Sequence, residues 1–322
     1  PISPVITKRA KELGMNSLAI TDHGVMYGCI DFYRAALENG IKPIIGCEVY
    51  VAPGSRFEKE AGDNEDRYYH LILLAENNEG YANLCKIVSK GFVEGFYYKP
   101  RVDYEVLEKY HEGIICLSAC LAGEVQKYLA RGEYEKGKEA ALKYEKIFGK
   151  GNYFLEMQDH GIPEQATVNQ QLMRMSEELE IDLVCTNDVH YTFADDVEAH
   201  DILLCIQTGK KKADEDRMRY EGGQFYLKSP EEMYQLFKYA PQAMENTQKI
   251  ADRCNVTFEF GVTKIPNFPV PEGYTSWTYL KELCETGLHN RYPVFKGEVD
   301  QNCHLTKEEL EERLNYELNT IK

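Results

Sequence analysis

Short apolar segments alternate with amphipathic segments over much of the chain. Apolar runs predict buried strands at residues 17–20, 42–52, 69–75, 113–120, 153–157 and 182–190. Helical spacing of apolar residues predicts helices at residues 2–13, 27–38, 80–90, 123–130, 134–148, 164–179 and 195–206. A polar stretch at residues 55–66 predicts a mobile loop. The alternation predicts a parallel sheet with crossover helices, and the number of repeats favours a closed (β/α) barrel over an open sheet.

The pattern changes after Gly209. Residues 230–255 are largely helical in character, and three prolines then follow closely at Pro266, Pro269 and Pro271. Because proline continues neither a helix nor a central strand, we expect a barrel over residues 1–262, a linker over 263–275 and a helical region over 276–322. The proline at position 1 and the last helix, which runs uncapped to the end, predict that the chain is a fragment of a longer protein.

Potential metal ligands stand at the ends of three predicted strands. These residues are His23, Glu48, Asp188 and His190. The carboxyl ends of parallel strands are where ligands bind in such folds. Imidazole together with carboxylate suits Zn²⁺, Mn²⁺ or Fe²⁺, and residues two apart in a strand, such as Asp188 and His190, point to the same face. The alternative is that each is a hydrogen-bonded polar residue at a strand end.

Other candidate residues have equally plain structural interpretations. His70 begins its predicted strand, at the wrong end for the barrel argument, and is as compatible with a structural histidine as with a ligand. Cys120 fits a buried, inert thiol. Lys99 and Arg101 lie in an aromatic loop and are candidates for phosphate contact, with a packed surface loop as the alternative. Glu156, Asp159 and His160 are candidates for groups that orient a ligand or contact a substrate, although a solvated loop is the favoured interpretation. His200 is predicted to be a structural or surface histidine.

Composition restricts the function classes. The chain has a formal net charge of −16, so a nucleic acid would be bound at a metal site or through basic surface supplied by another part of the assembly. Ten scattered cysteines without a C-x-x-C pair are typical of reduced, cytoplasmic proteins. No run of apolar residues predicts a membrane helix, and no signal peptide precedes the first helix. Neither a phosphate-binding glycine loop nor a G-x-S-x-G motif occurs.

Several motifs together resemble a known family. Residues 21–24 (TDHG), 46–50 (GCEVY), 70–75 (HLILLA) and 187–191 (NDVHY) resemble motifs of the polymerase and histidinol phosphatase (PHP) domain. Residues 95–103 (GFYYKPRVD), 117–124 (LSACLAGE) and 268–273 (FPVPEG) narrow the resemblance to the N-terminal region of bacterial replicative DNA polymerase III alpha subunits.

The resemblance implies a distorted (β/α)₇ TIM-like barrel with a multinuclear cluster of divalent metal ions, followed by a helical segment leading toward a polymerase palm and thumb. It implies six metal ligands in this sequence: His23, Glu48, His70, Cys120, Asp188 and His190. Of these, Asp188, His190 and Glu48 would be catalytic, and Asp22 would orient a ligand. Three more ligands, an H-x-H pair and an aspartate, would precede Pro1.

The implied activity is metal-dependent phosphodiester hydrolysis, as a 3′–5′ exonuclease within a DNA polymerase whose polymerase active site lies beyond Lys322. The implied partners are the primer 3′ end of DNA, a proofreading exonuclease subunit, the sliding clamp and the clamp loader. No association with a membrane is expected. Two alternatives remain. The domain is a metal-binding or inactive scaffold that docks a separate proofreading exonuclease, or the chain is a stand-alone PHP phosphatase.

Overall fold

The computed structural model describes residues 3–60, 66–299 and 303–322. The strands in this part of the chain are β1 (Ser17–Ile20), β2 (Lys42–Val51), β3 (Tyr69–Ala75), β4 (Phe96–Tyr97), β5 (Lys99–Val102), β6 (Ile114–Leu117), β7 (Tyr153–Met157) and β8 (Leu183–Cys185). The helices are α1 (Ser3–Glu12), α2 (Cys29–Glu38), α3 (Asn78–Val93), α4 (Tyr104–Lys109), α5 (Glu124–Ala130), α6 (Tyr134–Phe148), α7 (Pro163–Leu179), α8 (Val197–Thr208), α9 (Pro230–Leu236), α10 (Pro241–Arg253), α11 (Ser276–Arg291) and α12 (Lys307–Ile321).

The predicted elements and the observed ones agree closely in order. The predicted strands at residues 17–20, 69–75 and 153–157 have the observed bounds. The predicted strand at 182–190 is wrong in length, because β8 ends at Cys185 and the residues that follow form an irregular loop. Two predictions fall partly outside the described residues: the start of the helix at 2–13 and positions 61–65 of the loop at 55–66.

The strands form a mixed sheet rather than the parallel sheet that we expected. Its order is β4-β5-β2-β3-β6-β7-β8, with β1 paired to β2. The β1/β2, β2/β5, β6/β7 and β7/β8 pairs are parallel, whereas β3 is antiparallel to both β2 and β6. The reason is local, since residues 52–60 and 66–68 between β2 and β3 contain no helix and a reversal of direction needs no crossover.

The sheet curls around a concave face as a half-barrel. Within the described residues, no strand pairing joins β1 to β8, so the closed (β/α) barrel that the number of repeats favoured is not what the backbone pairing gives. The curled sheet is consistent with the distorted barrel that the resemblance implies. Alternating residues along each strand divide the core. Leu71 and Leu73 pack toward the outer helices, whereas Ile72 and Leu74 face the concave side. Helix α10 covers that side with Ile250 and its neighbours.

The chain divides into two compact units, 1–258 and 259–322. The second unit contains α11 and α12, and each helix begins with a threonine cap. The hydroxyl oxygen of Thr275 accepts from the Thr278 amide at 3.2 Å, and that of Thr306 accepts from the Glu309 amide at 3.2 Å. Residues 262–271 have no regular structure, as the prolines predict. No helix among the described residues is long and apolar enough to span a lipid bilayer.

Candidate metal centre

His23 and Glu48 lie side by side because the chain continues to pair beyond the end of β1. The Glu48 amide donates to the carbonyl of Asp22 at 3.0 Å, and the Gly24 amide donates to the carbonyl of Glu48 at 2.8 Å. This forms a parallel bridge between His23 and Glu48. The pairing brings Nδ1 of His23 to 3.3 Å from Oε1 of Glu48.

The turn after His23 requires glycine. Gly24 has a φ of 68°, a region that L side chains rarely occupy. A Cβ atom at this position would also lie 2.9 Å from Cε2 of Tyr50 and 3.0 Å from Cγ of Pro100. The absence of a side chain therefore lets the loop pack tightly against the ring that borders the site.

His70 reaches the same place from the opposite chain direction. It lies opposite Tyr50 in the antiparallel β2/β3 register, so the start of β3 is adjacent to the end of β2. Nδ1 of His70 lies 2.5 Å from Oε1 of Glu48. The objection that His70 sits at the wrong end of its strand holds only for a parallel strand.

The Glu48 carboxylate is the centre of this group. Its Oε1 atom is buried, and no donor in the described residues reaches it with hydrogen-bond geometry, although two ring nitrogens flank it. Burial raises the pKa of Glu48, but the neighbouring imidazoles outweigh that effect and lower it to about 2. In the same contact, Glu48 raises the pKa of His23. A buried carboxylate oxygen between two imidazoles suits a divalent cation.

Cys120 approaches His70 from the turn that follows β6. Its Sγ atom lies 3.6 Å from Nδ1 of His70. The preceding residue, Ala119, has a φ of 65°, and this left-handed turn directs the chain back toward the site. Burial, together with the charges of Glu48 and Asp188, raises the pKa of the Cys120 thiol well above its usual value. A bound metal ion reverses that effect and favours the thiolate.

Asp188 and His190 lie in the loop after β8 and not on a strand. The prediction that they point to the same face because they are two residues apart in a strand is therefore wrong in its reason. Asp188 has a φ of 43°, and the His190 amide donates to the Phe225 carbonyl at 2.9 Å. The Nδ1–H group of His190 donates to the Asp188 carbonyl at 2.7 Å. This bond fixes the ring tautomer and leaves the lone pair of Nε2 free for a ligand.

The six predicted ligands therefore converge, but not all equally closely. Potential ligand atoms of His23, Glu48 and His70 all lie within 4.8 Å of one another. The ring centroids of His23 and His190 are 5.8 Å apart. Burial raises the pKa of Asp188, and the charge of Glu48 adds to that effect while His190 opposes it. Two carboxylates that repel each other in a buried site are typical of groups that share cations.

The remaining predicted residues lie around the site with different roles. The side chain of Asp22 lies against Gly28 at the start of α2, and within the described residues no hydrogen bond joins it to a predicted ligand. The ammonium of Lys99 lies 5.4 Å from the centroid of the Tyr50 ring, beside His23. Arg101 is 3% exposed and donates to the carbonyls of Glu58 at 2.7 Å and of Arg56 at 3.3 Å. Its guanidinium thus stabilises a loop, whereas the Lys99 ammonium lies near His23.

Two polar side chains that the sequence analysis assigned to a solvated loop are buried beside the site. Glu156 is 3% exposed and His160 is 2% exposed. The Nε2–H group of His160 donates to the carbonyl of Asn187 at 2.9 Å and its ring stacks on Phe225. Glu156 lies on a predicted strand and faces the same side as the proposed ligands, and this position could have indicated that its side chain is buried beside the site.

His200 and Tyr220 also reach the site, which the sequence did not indicate. The ring centroid of His200 lies 5.6 Å from that of His190, and the centroid of Tyr220 lies 4.5 Å from it. Burial raises the pKa of Tyr220, with further contributions from the charges of Asp188 and Cys120. The phenol therefore faces the same acidic group as the ligands.

Comparison with known proteins shows which sequences the chain resembles. The PHP domain family matches residues 4–160. The chain is 44% identical over 317 residues to the DNA polymerase III subunit alpha of Treponema pallidum, covering 98% of this chain and 26% of that protein. The chain is homologous to the N-terminal part of DNA polymerase III alpha subunits.

Two further alpha subunits give the same result. The protein of Borreliella burgdorferi is 44% identical over 302 residues, covering 92% of this chain and 26% of that protein. The protein of Campylobacter jejuni is 41% identical over 342 residues, covering 97% and 27%. The chain thus spans about a quarter of the length of these alpha subunits, and its similarity to them extends well beyond the residues that the PHP family model matches.

Proposed function

We propose that this chain is the PHP region of a replicative DNA polymerase alpha subunit and that its site binds divalent metal ions for 3′–5′ hydrolysis of DNA. The observation that carries the proposal is the buried Oε1 atom of Glu48, which lies between Nδ1 of His23 and Nδ1 of His70 without a hydrogen-bond donor. A cation satisfies that oxygen and both ring nitrogens at once.

The residues that would hold Zn²⁺, Mn²⁺ or Fe²⁺ are His23, Glu48, His70, Cys120, Asp188 and His190. When bound, such ions supply Lewis-acid polarisation of a phosphoryl oxygen and acidify a coordinated water. The chain itself contributes orientation. The bond from His190 to the Asp188 carbonyl holds the ring in one tautomer, and burial of Asp188 and Glu48 makes the group a strong acceptor for positive charge. Asp188, His190 and Glu48 are the proposed catalytic residues.

The border of the site suits the end of a single strand of DNA. The ring centroids of Tyr50 and Tyr68 are 5.0 Å apart, and the ring of Tyr68 stacks on that of His70 with 9° between the ring planes. Lys99 is close to the Tyr50 ring and is the proposed phosphate contact. Aromatic faces bind bases of any sequence, and a nearby cation binds the backbone. With a net charge of −16, this region would rely on the rest of the polymerase for its other DNA contacts.

The resemblance also supports further proposals. The polymerase would act in the cytoplasm with a proofreading exonuclease, the sliding clamp and the clamp loader. The leading alternative is a scaffold that binds metal and docks the proofreading exonuclease without hydrolysing DNA. A stand-alone phosphatase is disfavoured, because identity to the alpha subunits extends over 98% of the chain, whereas the PHP match ends at residue 160.

The test uses the encoded polymerase chain that contains these residues, purified in parallel with two variants. Metal content is measured by elemental analysis, and the loss of nucleotides from 5′-labelled single-stranded DNA is measured in the same preparations. Asp188→Ala removes a proposed ligand, whereas Asp195→Ala changes an exposed aspartate seven positions along the chain.

We expect Asp188→Ala to lose metal and to slow degradation by more than about 100-fold, since even outer partners of a metal site are worth about 10–100-fold. Asp195→Ala should match the unaltered protein. Metal without degradation in the unaltered protein would favour the scaffold. Absence of metal, or equal activity of Asp188→Ala, would contradict the proposed site.

A further inference from the structure

A buried carboxylate lies beside the proposed metal centre, and its side-chain hydrogen bonds among the described residues go to groups other than the six proposed ligands. Glu156 is the penultimate residue of β7, and its side chain lines a cavity of about 640 Å³ on the concave face of the sheet. Its Oε2 atom accepts from the Ala119 amide at 2.9 Å. Its Oε1 atom accepts from the hydroxyl of Thr186 at 2.5 Å and from Nε2 of Gln158 at 3.0 Å.

Ala119 and Thr186 belong to the two turns that carry proposed ligands. Ala119 immediately precedes Cys120, and Thr186 lies two positions before Asp188. Both turns contain a residue other than glycine in the left-handed region, with φ of 65° at Ala119 and 43° at Asp188. Such a conformation costs about 1–2 kcal/mol per residue, so each turn needs fixed contacts to persist.

The backbone around Glu156 is fixed as firmly as its side chain. Its amide donates to Oγ of Ser118 at 2.7 Å, and its carbonyl accepts from Nε2 of Gln126 at 3.2 Å. The same Gln126 nitrogen donates to Ser118 and to the carbonyl of Ala119. Ser118 and Gln126 are each 2% exposed. The carboxylate thus extends from a network of buried, hydrogen-bonded groups, in which only Oε1 of Gln126 and Oε1 of Gln158 have no partner among the described residues.

We propose that Glu156 is a positioning residue whose single carboxylate fixes the turn of Cys120 through one oxygen and the turn of Asp188 through the other. The proposal rests on the metal site proposed above. In this proposal, Glu156 sets the distance between the thiolate of Cys120 and the carboxylate of Asp188, which lie in the turns after β6 and β8. Residues that orient metal ligands in this way are worth about 10–100-fold in metal affinity.

The experiment measures Co²⁺ binding by the encoded polymerase chain, because Co²⁺ reports a bound thiolate through a near-ultraviolet charge-transfer band. Glu156→Leu removes both acceptor oxygens. Glu156→Gln keeps an oxygen that accepts from the Ala119 amide and places an N–H group where it can donate to the Thr186 hydroxyl, while the bond that Oε1 accepts from Gln158 is lost. Thr186→Val removes the bond from the turn of Asp188 to Glu156, together with a longer bond of 3.3 Å that the Thr186 hydroxyl accepts from Nε2 of Gln158. Glu124→Leu is the matched control, since Glu124 is 9% exposed and accepts from the hydroxyls of Tyr104 and Tyr144.

We expect Glu156→Leu to weaken Co²⁺ affinity by about 10–100-fold and to lower the thiolate band at saturation. Glu156→Gln should retain the band and bind within about 5-fold of the unaltered protein, a partial rescue of the kind expected of a positioning group. Thr186→Val should weaken binding but keep the band. Glu124→Leu should lower the unfolding temperature without changing the affinity or the band.

Unchanged affinity in Glu156→Leu, or in Thr186→Val if the leucine variant does not fold, would overturn the role of Glu156. An equal loss of affinity in Glu124→Leu would also overturn it, since the effect would then follow from general destabilisation. Failure of the unaltered protein to bind Co²⁺ would instead contradict the metal site itself, so the two failures are distinguishable.

Discussion

His70 and Glu48 meet with 2.5 Å between Nδ1 and Oε1, although one residue begins its strand and the other lies near the end of its strand. The antiparallel β2/β3 pairing makes this contact, because it places the start of β3 beside the end of β2. A parallel strand would place His70 at the opposite end of the sheet, whereas the antiparallel strand places it beside the other proposed ligands. The reversal at β3 is therefore part of the site's construction.

The His23–Glu48 contact should make stability depend on pH in the absence of metal. Glu48 raises the pKa of His23, so this stabilisation is fully present below the ordinary value of 6.5 and is lost as the pH rises through the raised value. The lowered pKa of Glu48 removes the contribution again when the pH falls below 4.5. The contact should therefore stabilise the protein most between these two values.

The measurement is urea unfolding of the unaltered protein and of His23→Gln in a chelator, at about pH 5.5 and about pH 8.5. We expect the difference in stability between the two proteins to be larger at the lower pH. His111→Gln serves as the control, because His111 donates to the Glu108 carbonyl away from the site. A difference that is the same at both pH values would show that the two side chains are not coupled.

Gly24→Ala should damage both stability and metal binding. The new alanine would have a φ of 68°, and its Cβ atom would lie 2.9 Å from Cε2 of Tyr50. Gly14→Ala is a matched control, since Gly14 has a φ of 76° but nothing within 4 Å of the added atom. We expect Gly24→Ala to cost about 1–3 kcal/mol more than Gly14→Ala in denaturant unfolding, and only Gly24→Ala to weaken metal binding. Equal costs would contradict the close packing of this turn.

Lys99 and Arg101 should separate into different roles. Lys99→Met should raise the KM for single-stranded DNA by about 5-fold, equivalent to about 1 kcal/mol, without changing stability. Arg101→Met leaves backbone carbonyls without their donor and should lower stability by about 2–4 kcal/mol. Comparison of KM with unfolding midpoints checks both expectations. A stable Arg101→Met protein with a raised KM would restore Arg101 as the phosphate contact.

Burial of Glu156 should produce a second pH dependence with the opposite sign. Burial raises the pKa of this carboxyl to about 7. The folded protein then binds more protons than the unfolded chain between pH 4.5 and about 7, so stability should fall across this interval as the pH rises. The full effect is about 3 kcal/mol. Glu156→Gln should remove this slope in metal-free denaturant titrations, and an unchanged slope would show that another group titrates.

Much of the fold follows from local pattern, whereas the direction of one strand does not. The strand at residues 69–75 is clear from its apolar run, but nothing in that run indicates whether it is parallel or antiparallel to β2. The direction is set by the connection that precedes it. For the same reason, the sequence indicated His23 and Glu48 as candidate ligands but left His70 undecided until the family resemblance was considered. The predicted position of His23 and Glu48 at strand ends was not accurate, since Glu48 lies within β2 and His23 lies three residues after the end of β1.

The partners in the polar network beneath the site could not be predicted, because burial of polar residues depends on residues distant in sequence. Glu156 is bonded to Ala119 and Thr186, and His160 to Asn187. Each of these residues alone is more typical of a solvated loop. Arg101 illustrates the same limit, since its buried partners are carbonyls that carry no sequence signature. The assignment of residues 276–322 to the start of a polymerase core stays a prediction.

Anomalous scattering from a crystal of the metal-loaded protein would test the metal site most directly. We predict a Zn²⁺ peak about 2.0–2.2 Å from both Oε1 of Glu48 and Nδ1 of His70, and its loss in Glu48→Gln. A crystal in which the two side chains keep their contact while zinc binds elsewhere, or not at all, would contradict the proposal that this cluster is a metal centre.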